Sequence, residues 1–281
     1  MLDHGHGRAL GAAVALCVSL TFAGCTDGGS ERSVTSQRLV LTGSSTIAPL
    51  VADLARQFES QRPGVRIDVQ TGGSSRGISD VRQGLAGIGM VSRGLADAES
   101  DLVGYKLAID GVALIVHASN PLVNLTQEQV VEVYTGRVRD WRELGGAPGP
   151  ITVVHKADGR STQEVFLGHF GMDPAEVEPS VVIGDNEQGV KSVAGNPGAI
   201  GYVSIGAAEA SAEFGVPIKP IALDGHVATS ESVALGSFPL VRELTLVSNG
   251  PLSPLASDFV AFARSPYARE FIEAHYFVAV D

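Results

Sequence analysis

The sequence is poor in cysteine, and its two cysteines exclude several kinds of protein. Among its 281 residues are two cysteines, one tryptophan and three methionines. This number is too small for a disulfide framework or a Cys-rich zinc site. Cys17 lies in an N-terminal apolar run and Cys25 comes three residues after the end of that run, so the remainder of the chain has no thiol. Thiol catalysis and disulfide bonds are therefore excluded for the folded part.

Positive charge is also scarce. The chain has 20 Lys and Arg against 31 Asp and Glu, which gives a formal charge of −11. Nucleic-acid binding is excluded, because it needs a clustered basic surface that neutralises phosphates. Hydrophobic residues make up 44% of the chain, which is too many for an intrinsically disordered protein. The length is sufficient for one large domain or two of ordinary size.

Long hydrophobic runs are absent except near the N-terminus. The apolar run 9–22 is too short to span a bilayer but is typical of a signal peptide, which we place at residues 1–24. Ala23 and Gly24 before Cys25 resemble a bacterial lipobox. We therefore expect Cys25 to carry lipid (palmitate) and residues 25–38 to form a flexible tether. The alternative is an ordinary or uncleaved signal peptide with an incidental cysteine.

After the tether, short apolar strand patterns alternate with amphipathic helix patterns. Strands are predicted at 39–41, 65–69, 88–91, 112–116 and 151–154. Helical patterns follow most of them, and no repeat of 20 to 50 residues is present. This order predicts an α/β fold with mostly parallel strands.

Glycine is abundant, with 34 residues, and much of it lies where a predicted strand is followed by a helix. Gly/Ser/Thr clusters occupy 43–46, 72–77 and 159–162, and a fourth strand ends in Ser92 and Arg93. Helix N-termini present free N–H groups and partial positive charge to anions. Any single cluster is also explained as an ordinary helix cap. Three of them together predict a site for a small oxyanion.

Motifs for other chemistry are missing. The sequence has no phosphate-binding P-loop and no nucleophile elbow. The histidines after the signal peptide lack metal-ligand spacing, and we expect no metal, no cofactor and no enzymatic activity. These histidines are His117, His155, His169, His226 and His275.

In several short motifs, the chain resembles the phosphate-binding lipoproteins of bacterial phosphate ABC transporters, the PstS-like group of periplasmic binding proteins. The order and spacing of these motifs carry the resemblance from about Leu39 to the C-terminus. The motifs span 42–49, 72–78, 92–93, 110–117, 120–121, 134–136, 140–141, 158–162 and 198–203.

The resemblance implies a two-lobed α/β fold, the type II periplasmic-binding-protein-like fold, with the ligand cleft between the lobes. Residues 39–115 and 230–281 would form lobe 1, and residues 116–229 would form lobe 2. The implied function is capture of inorganic phosphate outside the membrane for an ABC transporter. Its permease subunits would be the partners, and the receptor would be a monomer on the extracytoplasmic face, held by the lipid anchor.

The resemblance also implies the ligand-binding positions. Thr46 with the Ile47 amide would hold phosphate at the first helix N-terminus, and Ser74 with Ser75 at the second. Ser161 and Thr162 occupy the end of the third loop. The full predicted set is Ser45, Thr46, Ile47, Ser74, Ser75, Ser92, Arg93, Lys156, Arg160, Ser161 and Thr162.

Three positions depart from the better-known pattern of the family. Arg93 replaces an Asp that accepts a proton from the ligand in many phosphate receptors. Lys156 replaces an Arg, and Arg160 and Ser161 replace Ser and Gly. Since the acceptor is replaced by a cation, selectivity against sulfate is expected to weaken. A receptor or sensor for another oxyanion, such as sulfate, molybdate or tungstate, is the alternative, and a phosphatase is a further one.

Overall fold

The computed structural model describes residues 37–280, which form an α/β fold. The predicted signal peptide, Cys25 and nearly all of the predicted tether lie outside the described residues. Within the described range, no helix is both long and apolar enough to cross a bilayer.

The strands are β1 (Gln37–Gly43), β2 (Val65–Thr71), β3 (Ile88–Val91), β4 (Val103–His117), β5 (Asn124–Leu125), β6 (Thr152–Lys156), β7 (Val181–Ile183), β8 (Ala199–Ser204), β9 (Ile218–Leu223), β10 (Val241–Ser248) and β11 (Val278–Ala279). The helices are α1 (Ala48–Ser60), α2 (Ser74–Arg82), α3 (Gln127–Tyr134), α4 (Ser161–Phe170), α5 (Asn186–Ala194), α6 (Ile205–Glu213), α7 (Ser230–Ala234), α8 (Pro254–Ala263) and α9 (Arg269–Ala274).

The strands form one connected sheet in the order β2-β1-β3-β10-β4-β8-β6-β7. Both ends of this order are parallel, as predicted: β1 pairs with β2 and β3, and β6 pairs with β7 and β8. The centre is antiparallel, because β4 runs against β10, β8 and β9. The prediction of mostly parallel strands is wrong there. The predicted strand 112–116 covers only the apolar C-terminal part of β4. The whole strand has 15 residues and pairs with different neighbours in its two halves.

Two large buried clusters divide the core, and we call the parts around them the first and second lobes. The first cluster contains Leu41, Phe58 and Phe259, and the second contains Tyr134 and Phe166. Strand β4 contributes residues to both clusters, whereas the buried residues Leu244 and Leu246 of β10 belong to the first. Seven buried residues that were predicted to belong to lobe 1 pack in the second cluster; the lobe boundaries stay a prediction. They are Val112, Ala113, Leu114, Ile115, Val233, Phe238 and Leu240.

One glycine explains how closely the loops of the two lobes approach. Gly73, just before α2, has a φ of 94°, in the left-handed region that glycine tolerates without strain. A Cβ at this position would lie 2.7 Å from the carbonyl oxygen of Gly159 in the second lobe. A glycine here therefore lets two Ser/Thr-rich loops meet.

Candidate functional site

The Gly/Ser/Thr clusters converge on one small cavity between the lobes. Helices α1, α2, α4 and α5 all begin at or beside it, and β3 and β6 end there. Helix N-termini that face one space combine their free N–H groups and their partial positive charges. The cavity is lined by Ser44, Ser45, Thr46, Gly73, Ser74, Ser92, Lys156, Arg160, Ser161, Thr162 and Gly184.

Hydrogen bonds between buried hydroxyls fix the first-lobe side of the cavity. The Ser44 hydroxyl donates to Ser92 Oγ over 2.9 Å, and Ser44 Oγ accepts from the Thr46 amide at 3.2 Å. Ser74 Oγ accepts from the Ser92 amide, also at 3.2 Å. These contacts link the loops that precede α1 and α2 to the end of β3. The polar groups are thus positioned before any ligand arrives.

Arg242 joins the hydroxyls of both lobes from beneath the cavity. Its guanidinium donates to Thr162 Oγ1 at 2.7 Å and to Thr46 Oγ1 at 3.2 Å. It also donates twice to Asp110 Oδ2, at 2.9 and 2.8 Å. Arg242 lies opposite Asp110 in the β10–β4 register, and both side chains are buried. The pair therefore holds the guanidinium in place between the two lobes.

This network sets the direction of the threonine hydroxyls. A guanidinium can only donate, so both threonine oxygens act as acceptors toward Arg242. Thr46 Oγ1 accepts a second hydrogen bond, from Asn186 Nδ2 at 3.3 Å. With both of its lone pairs engaged, the Thr46 hydroxyl has only its proton left to offer. The arrangement favours a ligand atom that accepts hydrogen bonds.

Lys156 adds a buried positive charge to the cavity. It is only 2% exposed, and its backbone amide donates to Tyr202 Oη at 3.2 Å, which fixes the end of β6 at the cavity. Burial, helped by Arg242 and Arg160, lowers the pKa of Lys156 to about 7, while Asp185 opposes the shift. No carboxylate is present among the residues that line the cavity. An anion bound there would therefore lie next to the positively charged side chains of Lys156 and Arg160 without facing a lining carboxylate.

Ser161 provides a further indication of a missing partner. Its side chain is 2% exposed, and its Oγ has no hydrogen-bond partner among the described residues. A buried hydroxyl without a partner costs about 1–3 kcal/mol. A polar ligand in the cavity would remove this cost.

The structure brings eight of the eleven predicted site residues to the cavity. The other three predicted residues do not line the cavity; they are Ile47, Ser75 and Arg93. Ile47 has a buried side chain just before α1, and the Ser75 hydroxyl donates to Glu164 Oε1 at 3.4 Å. The eight that line the cavity are Ser45, Thr46, Ser74, Ser92, Lys156, Arg160, Ser161 and Thr162.

Arg93 pairs with carboxylates of both lobes. It forms two hydrogen bonds with Glu99, at 2.7 and 2.8 Å, and a close ion pair with Glu164 of α4. The hydrogen bonds that Arg93 donates to Glu99 are the largest cause that raises the pKa of Arg93. With two carboxylates beside it, Arg93 connects the lobes and offers little free charge to a ligand.

Sequence reasoning missed several groups around the cavity. Arg242 stands in a strand with no glycine or serine cluster near it, so no local pattern indicated it. Asn186 comes directly after Gly184 and Asp185, a strand-to-helix junction that could have been noticed. Ser44 and Gly73 adjoin predicted positions in the sequence but were not named as site residues, and Gly184 was not named either.

Comparison with known proteins places this fold and cavity in a family. The family model described as "PBP superfamily domain" matches residues 29–266, which is most of the chain. The chain belongs to this superfamily. A solved phosphate ABC transporter substrate-binding protein from Clostridium perfringens, with bound phosphate, is 31% identical. The match covers 87% of this chain and 100% of that one, with a TM-score of 0.80.

Two further relatives agree on the branch of the PBP superfamily. The phosphate-binding protein PstS of Bacillus subtilis is 28% identical over 241 residues, 84% of this chain and 78% of the relative. An ABC-type phosphate transport receptor from Vibrio cholerae is 28% identical with a TM-score of 0.72, covering 87% of this chain and 100% of that one. The predicted resemblance to the PstS-like group and the predicted periplasmic-binding-protein fold are confirmed.

Proposed function

We propose that this protein is an extracytoplasmic receptor that binds inorganic phosphate between its lobes and delivers it to an ABC transporter. The observation that carries the proposal is the cavity itself. It combines helix N-termini, hydroxyls oriented to donate hydrogen bonds and the buried Lys156, and no carboxylate lines it. Such a site suits a small tetrahedral oxyanion. The phosphate-bound relative from Clostridium perfringens supports the same ligand.

Each part of the cavity has a role in this proposal. The N-termini of α1, α2 and α4 would direct backbone N–H groups at phosphate oxygens. The hydroxyls of Thr46, Ser74 and Thr162 would donate to them, and Lys156 would supply charge. Arg242 acts as a positioning residue, because it already donates to two of those hydroxyls. Closure of the lobes would exclude water and strengthen each charged contact.

Titration calorimetry with phosphate and sulfate at pH 6 and pH 8 tests the ligand. We expect phosphate to bind and Thr162→Val to weaken it at least tenfold, because that hydroxyl lines the cavity. Thr245→Val is the matched control, since Thr245 is also buried but lies outside the cavity lining and its Oγ1 has no partner among the described residues. Equal or tighter binding of sulfate would reject the phosphate assignment.

A receptor for a different oxyanion is the second candidate. The absence of a carboxylate from the cavity lining favours it, because no carboxylate there accepts the proton that distinguishes hydrogen phosphate from sulfate. Thermal unfolding in the presence of phosphate, sulfate, molybdate and tungstate separates these candidates. The anion that raises the melting temperature most at equal concentration is the ligand.

We propose that the protein is a receptor without phosphatase activity. Its relatives from Bacillus subtilis and Vibrio cholerae are named as a binding protein and a transport receptor. Incubation with p-nitrophenyl phosphate, with and without divalent metal ions, checks this point. Turnover that depends on the cavity residues would contradict the proposal.

We also propose that Cys25 carries the lipid that holds the protein, as a monomer, on the membrane. The proposal depends on the sequence around Cys25, which lies outside the described residues. Mass spectrometry of the mature N-terminus and membrane fractionation of wild-type and Cys25→Ala protein test it. Release of the variant from the membrane is expected, and a wild-type N-terminus without lipid would contradict it. Sedimentation of the released protein gives its oligomeric state.

A further inference from the structure

A second and larger cavity lies beside the anion cavity, and we call it the side groove. It has a volume of about 660 Å³ and lies between the start of α1 and the C-terminal segment on one side and helices α5 and α6 on the other. This volume is within the range of about 300–1,000 Å³ that is usual for small-molecule sites. A bare phosphate ion in the anion cavity would leave the side groove unused.

Much of the wall of the side groove is apolar, and most of its apolar side chains are short; Phe277 is the large one. Removing apolar surface of a ligand from water contributes about 25 cal/mol per Å². Short side chains leave room for a ligand group instead of filling the space themselves. The apolar wall residues include Ala48, Val190, Ala194, Ala207, Ala210 and Val216.

The inner end of the side groove meets the anion cavity. Ser45 and Thr46 line both spaces. Ser204 also lines the side groove; it is 1% exposed, and its Oγ has no hydrogen-bond partner among the described residues. Asn186 stands next to it and accepts from the Ser204 amide at 3.4 Å. The buried Ser204 hydroxyl, which has no partner among the described residues, therefore lies beside the apolar walls and close to the expected position of the anion.

The charges at the side groove limit what it can hold. Asp185, Glu187 and Lys191 line it, and Lys191 forms an ion pair with Glu187. Asp185 accepts a hydrogen bond from the Gln188 amide at the N-terminus of α5. A second anionic group in the side groove would be repelled, whereas an uncharged aliphatic group would not.

We propose that the side groove binds the aliphatic substituent of a phosphate monoester or an alkylphosphonate whose phosphoryl group occupies the anion cavity. The inference rests on the proposed binding of an oxyanion in that cavity. In a phosphate monoester the Ser204 hydroxyl donates to the ester oxygen, and in either ligand the alanine and valine side chains contact the carbon chain. The protein is then a receptor for small organic phosphates as well as phosphate.

Calorimetric titration with inorganic phosphate and with methyl-, ethyl- and propylphosphonate tests the inference. Ala210→Phe fills the side groove, and Ala212→Phe is the matched control, because Ala212 is exposed on the same helix and does not line it. We expect propylphosphonate to bind wild-type protein within tenfold of phosphate. Ala210→Phe should weaken propylphosphonate at least tenfold and change phosphate less than twofold, and Ala212→Phe should change neither.

Two results would overturn the inference. One is phosphate binding without any alkylphosphonate binding, and the other is equal weakening of propylphosphonate in both variants. If phosphate fails to bind while propylphosphonate binds and is lost in Ala210→Phe, the inference holds and the proposed function is wrong. If neither ligand binds, both are wrong. Ala207→Leu, which fills the same space with a smaller side chain, replaces Ala210→Phe if that variant does not fold.

Discussion

Replacement of Lys156 by methionine tests whether this buried amine supplies charge to the bound anion. Its pKa is lowered from 10.5 to about 7, first by burial and then by Arg242 and Arg160. The amine is therefore half protonated at pH 7 and about one-tenth protonated at pH 8. An anion prefers the charged form of the amine. We therefore expect the ratio of phosphate affinities, wild type over Lys156→Met, to fall about fivefold between pH 7 and pH 8.

Titration calorimetry of both proteins at pH 6, 7, 8 and 9 measures this ratio. The titration of phosphate itself affects both proteins equally and cancels in the ratio. Lys219→Met, which removes a lysine that does not line the cavity, should show a ratio independent of pH. A ratio of wild type to Lys156→Met that is flat from pH 6 to 9 would refute the role assigned to Lys156.

The same substitution should have the opposite effect on the stability of the ligand-free protein. The folded-state pKa of Lys156 lies below the unfolded value, so the unfolded chain binds more protons between pH 7 and 10.5, and stability rises with pH in that window. Below pH 7 the full cost of the buried charge remains, about 5 kcal/mol at 1.36 kcal/mol per pKa unit. In urea unfolding, Lys156→Met should therefore be more stable than wild type at pH 6, and this gain should vanish toward pH 10.5.

Three further predictions concern the contacts between the lobes. Arg242→Met should lower the free energy of unfolding by about 3–5 kcal/mol in urea, because it leaves the Asp110 carboxylate buried without its partner. Glu164→Gln should raise the phosphate dissociation rate several-fold in stopped-flow measurements, because it removes the interlobe ion pair with Arg93. Gly73→Ala should weaken phosphate binding at least tenfold in calorimetry, because its Cβ would lie 2.7 Å from a carbonyl oxygen of the opposite lobe.

Matched variants separate these effects from general damage. Arg38→Met removes an exposed arginine and should leave the unfolding free energy within about 0.5 kcal/mol of wild type. Glu187→Gln removes an exposed carboxylate of the second lobe and should leave the phosphate dissociation rate unchanged. Gly145→Ala also places an alanine at a positive φ, of 80°, but nothing lies within 4 Å of its Cβ, so phosphate affinity should stay unchanged. Equal effects in a variant and its control would contradict the corresponding prediction.

Local sequence patterns predicted most of the cavity because its polar groups come from short, continuous stretches of the sequence. At each Gly/Ser/Thr cluster a strand ends and a helix begins within a few residues, so Ser74 and Ser161 could be placed without knowing the fold. The ends of β1 and β3 lie at the same edge because both strands are parallel neighbours. The expectation that these clusters converge therefore rested on sheet geometry alone.

Arg93 shows the limit of this reasoning. It follows Ser92 directly, which lines the cavity, and the resemblance to the phosphate-binding lipoproteins implied that Arg93 contacts the ligand. Its guanidinium is held instead by Glu99 and by Glu164, which is 71 residues away in the sequence. The direction of a long side chain is decided by such distant partners, and no local pattern records them.

The sequence by itself determined the alternation of strands and helices, the position of the Ser/Thr-rich helix starts, and the absence of a thiol from the folded part. Only the tertiary structure decided that Arg242 lies beneath the cavity and connects Thr46 to Thr162. Those contacts join residues separated by 196 and 80 positions. The physical reason is that composition and periodicity report on neighbours along the chain. The direction in which a hydroxyl offers its proton depends on partners that are brought together by the pairing of β4 with β10.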